Sequence, residues 1–114
     1  MAEAHGGLGE LLVVVYLAIA VASLVVANRG GLPAWLTGTA HALLGVQVIL
    51  GIILYIRNPD IMPWTHALFG LLTIPALALM APMRRRYGPA RGLAVSALAV
   101  AILAAVAVGI ATMR

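Results

Sequence analysis

The stretch HALLGVQVILGIILYIRNPDIMPWTHALFGLL, residues 41–72, reads as an apolar run, a break of charge and proline, and a second apolar run that opens with nearly the phrase that opened the first. The break, RNPDIMP at residues 57–63, has two counterparts: NRGGLP at 28–33 and PMRRRYGP at 82–89. Proline with charge interrupts helices, and glycine in two of the breaks strengthens the signal. Between the breaks lie apolar stretches of about 20 to 23 residues, each roughly 30 Å long as a helix, which matches the hydrocarbon thickness of a bilayer. The pattern predicts helices at about residues 8–28, 34–56, 63–82 and 90–112. The breaks are too short to cross a membrane. The expected fold class is therefore an all-α integral membrane protein: one transmembrane domain, residues 1–114, built as a four-helix antiparallel bundle with both termini on the same side.

Composition agrees. Hydrophobic residues make up 64% of the 114 and charged residues 9%, and mean hydropathy is +1.12, far outside the range of soluble domains. Cysteine is absent, which excludes disulfides, iron–sulfur clusters, thiolate metal sites and cysteine nucleophiles and leaves oxygen and imidazole as ligands. All seven basic residues are arginine, and with the Ala, Val, Leu and Gly bias this suits a GC-rich prokaryotic genome and hence a cytoplasmic (inner) membrane. The pI near 10.8 is no nucleic-acid footprint, because the arginines border hydrophobic spans. The expected surroundings are a lipid bilayer, with no nucleic-acid partner.

Those arginines set the topology. Arg29, Arg84, Arg85, Arg86 and Arg91 belong to the first and third breaks, whereas the other side holds Arg57 and Arg114. The positive-inside rule then puts the first and third breaks in the cytoplasm and both termini on the outer, periplasmic side. The leader MAEAHGGLGE has two glutamates and no Lys or Arg, the wrong n-region for a cleaved signal peptide. Trp35 and Trp64 suit interfacial anchors at opposite surfaces, as do Tyr55 and Tyr87. In the fourth span Ala97, Ala101, Ala105 and Gly109 form a small-residue stripe for close helix packing, within the bundle or across a dimer. Pro75 predicts a kink in the third span.

His41 and His66 are the chemistry-bearing residues of the spans, since an ionisable side chain unpaired in hydrocarbon costs several kcal/mol. Each precedes a glycine by one turn, Gly45 and Gly70, which opens a notch on nearly the same face. A flat macrocycle whose metal is held by the histidine needs such a notch; a neighbouring helix could fill it equally well. The two helices run in opposite directions and the histidines lie roughly 15 Å apart along the membrane normal, so the pair is expected to serve two sites, or none, rather than one. The repeat is a local inverted duplication about an axis in the membrane plane. Thr37 and Thr73 lie close to the respective histidine faces and could satisfy a ring nitrogen, or bond back to their own helix. Gln47 lies about 120° around the helix from His41 and reads as a hydrogen-bonder within the bundle. His5, in EAHGG, reads as solvated, and Glu10 as a first-turn acid favoured by the helix dipole.

HALLGVQVILGIILY followed by a proline-containing loop and WTHALFGLL resembles the paired core helices of the diheme b-type cytochromes of the ascorbate-reducing family, and its rhythm is similar to the helical halves of haem A synthase. The resemblance covers about residues 40–75. It implies that His41 and His66 are axial metal ligands of haem b on opposite membrane sides. In those families a further histidine-bearing helix supplies each second ligand. Here a homodimer or a larger membrane complex would do so, or a five-coordinate haem or chlorophyll-type pigment would need only one histidine.

The expected function is thus a tetrapyrrole-binding electron-transfer module in a respiratory or photosynthetic membrane, passing electrons across the bilayer or to a quinone. The alternatives are a cofactor-free structural accessory subunit of a membrane complex and, with only Glu10 as its carboxylate, a small proton-coupled transporter. No set of catalytic residues for a stand-alone enzyme is present: there is no Ser/His/Asp set, paired carboxylate or phosphate-binding glycine loop.

Overall fold

The computed structural model describes residues 2–113. Their regular structure is all helical, with no strand among the described residues: α1 (Ala2–Val25), a short 3₁₀ turn (Ala27–Arg29), α2 (Ala34–Arg57), α3 (Trp64–Ala78), α4 (Met80–Tyr87) and α5 (Pro89–Met113). α1, α2 and α5 are each long and apolar enough to cross a membrane, and α3 with α4 meets the same test as one path bent by 42°.

Proline and glycine punctuate these elements as their backbones require. Pro33 and Pro63 sit extended just ahead of α2 and α3, with ψ of 142° and 147°. Gly30 and Gly31, at φ of 93° and 79°, turn the chain between α1 and α2, a left-handed geometry that side chains disfavour. Two boundaries differ from the sequence expectation. α1 begins at Ala2 rather than near residue 8, so Glu10 lies beyond the first turn and Glu3 takes that place. The expected break at residues 82–89 is helical as far as Tyr87, and the turn contracts to Gly88 at φ 92°. Pro82 is the third residue of α4, where its missing N–H has no helical partner to lose, and the three arginines behind it are good helix formers.

Pro82 also accounts for the bend. α3 continues through Pro75 to Ala78, and the break falls at Leu79, four residues beyond the proline expected to cause it. In a continuous helix the N–H of residue 82 would bond to the Ala78 carbonyl. Proline lacks that donor, and its ring displaces the carbonyl.

α1 and α5 share the most extensive contact, while α3 and α4 both pack on α5 and α2 packs on α1. Leu12, Tyr16, Ile19 and Ala20 of α1 join Ala97, Val100 and Ala101 of α5 in one core cluster. The expected small-residue stripe is only half present: Ala97 and Ala101 are buried, but Ala105 is exposed and Gly109 is only partly covered. A four-residue step advances about 40° too far at each turn of a 3.6-residue helix, so the buried face continues through Ala107 instead. The close approach occurs at Gly92, where an added Cβ would overlap the Arg84 backbone of α4. Ser96 of α5 donates to the Ala76 carbonyl of α3 at 2.8 Å. α2 and α3, though consecutive, barely meet.

Gly92→Val is therefore expected to destabilise the fold by about 1–3 kcal/mol through overpacking. Gly109→Val, in open space, should change unfolding in detergent little.

Candidate functional site

Because these spans are apolar nearly all round, the few polar side chains identify themselves by what they touch. His41 of α2 meets Tyr16 of α1: the phenol and Nδ1 share a hydrogen bond of 2.8 Å, and the rings lie 16° from parallel with centroids 5.9 Å apart. Tyr16 is wholly buried. His66 of α3 instead donates from Nδ1 to the Ala107 carbonyl of α5 at 2.7 Å. That bond fixes the tautomer and leaves Nε2 with its lone pair, the arrangement by which an imidazole is usually oriented for a metal.

A third histidine joins the second. His5, expected in solvent, lies within α1, half-buried, its ring 6.0 Å from that of His66 and inclined to it by 81°. It rests on Gly51 of α2, where an added Cβ would come within 2.9 Å of His5 Cε1. Gln47 donates from Nε2 to the His5 carbonyl at 2.8 Å. Its amide lies over Gly9, where a Cβ would approach Nε2 to 2.9 Å, so glycine one turn after His5 lets the amide reach that carbonyl from the side. Gln47 is thus the bundle hydrogen-bonder expected of it.

Where α2 and α3 part, a cavity of 440 Å³ opens between α1, α2, α3 and α5. His5, Gln47 and His66 are its main polar groups, and Leu44, Val48, Leu71 and Val108 contribute to its apolar wall. A second space of 320 Å³ extends from the same histidines to the first turn of α1 and the last of α5. A shallow groove of 630 Å³ along residues 59–63 is larger but carries no histidine. Among the described residues, the buried side-chain atoms without a hydrogen-bond partner are His5 Nδ1, His41 Nε2 and Gln47 Oε1.

The sequence candidates divide accordingly. His66, Gly70 and Thr73 line the cavity, whereas His41, Gly45 and Thr37 lie outside it. The two histidines share no hydrogen-bond partner and no cavity. Thr73 bonds back to the Gly70 carbonyl at 2.6 Å and Thr37 to the Ala34 carbonyl at 3.2 Å, so neither hydroxyl serves a histidine. Apart from the adjoining backbone of its own helix, nothing described lies within 4 Å of a Cβ built at Gly45 or Gly70, and neither notch is filled by a neighbouring helix. His5, Gly9 and Gly51 were missed from sequence. A signal existed: His5 precedes Gly9, and Gln47 precedes Gly51, by the same four residues as in the two repeated phrases.

Among the described residues no group of three or more His, Cys, Asp or Glu side chains could hold a bare metal ion. Comparisons with models of protein families, with curated proteins and with solved structures find no match.

The Tyr16–His41 bond is expected to couple the two helices measurably. A double-mutant cycle of Tyr16→Phe and His41→Phe, read by unfolding in detergent, should give about 0.6 kcal/mol and up to about 1.7. A coupling of zero would remove the bond from the account of the fold.

Proposed function

We propose that this chain is a multi-pass protein of a prokaryotic cytoplasmic membrane that binds haem b, or a related tetrapyrrole, at His66 and serves in electron transfer. In this reading α3 and α4 make one bent span, and the fold is a four-helix antiparallel bundle. Both termini lie on the periplasmic side, and Arg84, Arg85, Arg86 and Arg91 lie on the cytoplasmic side. Lipid covers its exposed apolar side chains, and it works as a homodimer or within a respiratory or photosynthetic complex.

The observation that carries the cofactor reading is His66 itself. Its Nδ1–H is anchored on the Ala107 carbonyl, the other nitrogen is left to bind, and Gly70 one turn away keeps space clear. The donor set fits a metal already held in a macrocycle, which asks the protein for axial imidazole and not for a cluster of ligands. The cavity falls within the usual range for small-molecule sites, about 300–1,000 Å³. Haem bound there would supply one-electron chemistry. The chain's own part is to orient the imidazole through the carbonyl bond and exclude water with apolar walls. A chlorophyll-type pigment would use the same imidazole, and a quinone would use the Gln47 and histidine edge of the cavity.

A second reading, a cofactor-free accessory subunit, is favoured by His41. That side chain ties α2 to α1 through Tyr16 and lines none of the cavities described. The transporter reading has less support, because Glu10 is exposed.

Protein purified from its native membrane should show a b-type band in a reduced-minus-oxidised spectrum, and His66→Ala should lower haem content at least about tenfold. No band in the native protein would sink the proposal; co-purification with a large partner and unchanged cofactor content in His41→Ala and His66→Ala would favour the accessory subunit. Reporter enzymes active only outside the cytoplasm should be active when fused to either terminus and inactive when fused near residue 88. The reverse pattern would invert the topology.

A further inference from the structure

The histidine cavity has two imidazoles from two different helices, and only one of them has been given a task. His5 and His66 face the same space with ring centroids 6.0 Å apart. Two metal–imidazole bonds of about 2 Å each, together with the near half of each ring, span about 6 Å, so the separation suits one metal between them. The described residues offer no third His, Cys, Asp or Glu to complete a bare-ion site. Two protein ligands are enough when the other positions come with the metal, as they do in a planar macrocycle. Three glycines, one on each of α1, α2 and α3, line the same cavity as the pair: Gly9, Gly51 and Gly70. His5 does not ride on a loose chain end. Its carbonyl is held by Gln47 at 2.8 Å, while its Nδ1 is buried without a partner.

We infer that His5 is the second axial ligand of the group held by His66, so that one chain closes a two-histidine site without a symmetry mate. The inference rests on the tetrapyrrole reading of His66. It differs from the sequence expectation at this end of the bundle, where the opposing imidazole comes from a second copy or a partner subunit, or is not needed.

The test uses the full-length chain, produced with haem supplied and purified in detergent, read by absorbance and electron paramagnetic resonance. Wild type should be six-coordinate and low-spin. His5→Ala should keep haem through His66 but become five-coordinate and high-spin, with carbon monoxide affinity raised at least about tenfold, and added imidazole should restore the low-spin spectrum. Gly51→Val, which pushes on the His5 ring, should give a partly high-spin spectrum. A low-spin spectrum in His5→Ala indistinguishable from wild type would overturn the assignment of His5 while leaving haem binding intact. Absence of haem from wild type would overturn the functional reading, and this one with it. If His5→Ala empties the site, recovery of low-spin haem with imidazole supports the assignment and failure to recover it counts against it.

Discussion

A polar group carried into hydrocarbon must find its partner inside the protein, because no water is there to supply one. The hydrogen bonds between helices that answer this demand among the described residues include Tyr16 with His41, Gln47 with the His5 carbonyl, His66 with the Ala107 carbonyl, and Ser96 with the Ala76 carbonyl. The first two join α1 to α2 and the last two join α3 to α5. The halves meet through the apolar contact of α1 with α5. Since spans in lipid gain little from burying apolar surface against each other, such bonds and the small residues between backbones choose which helices become neighbours.

Pairing of this kind has a geometric consequence. With α2 tied to α1 and α3 tied to α5, the two consecutive helices α2 and α3 make little contact with each other, and the space left between them is the cavity. Its polar edge is built from the same residues that tie the helices. Gln47 fastens the start of α1, and His66 fastens α3 to α5, each with one end of its side chain. The other end, Oε1 of Gln47 and Nε2 of His66, is what the proposed ligand would meet. Structure and chemistry draw on different atoms of the same side chains.

Spans and breaks were legible because length, hydropathy and proline are local properties, and α2 matches its sequence reading to within a residue. Helix facing was not. Spans that are hydrophobic all round carry no amphipathic signal, so the buried face of α5 was inferred from a stripe of small residues and drifted off by Ala105. The bend was assigned to Pro75 because a proline within a span is conspicuous, whereas the effective one, Pro82, was read as the end of the span. Part of the cavity was legible, through His66, Gly70 and Thr73. His5 was missed because a leader with glutamates and three glycines looks like solvated coil. Gly6 and Gly7 face open space in the helix, and Gly9 is required there by Gln47.

The repeated phrase carries the last step. Exchange of α2 with α3 and of α1 with α5 maps the helix pair joined at His41 onto the pair joined at His66 but reverses their order along the chain, so the likeness of the two halves extends no further than the repeated phrase. The partners differ in a way that decides the chemistry. A phenol can donate or accept, so Tyr16 does not fix which nitrogen of His41 carries the proton. A carbonyl can only accept, so Ala107 requires the proton of His66 on Nδ1. The same five-residue pattern has thus become a helix tie in one half and an oriented imidazole in the other. The residue opposite each histidine, not the histidine phrase, separates the two roles.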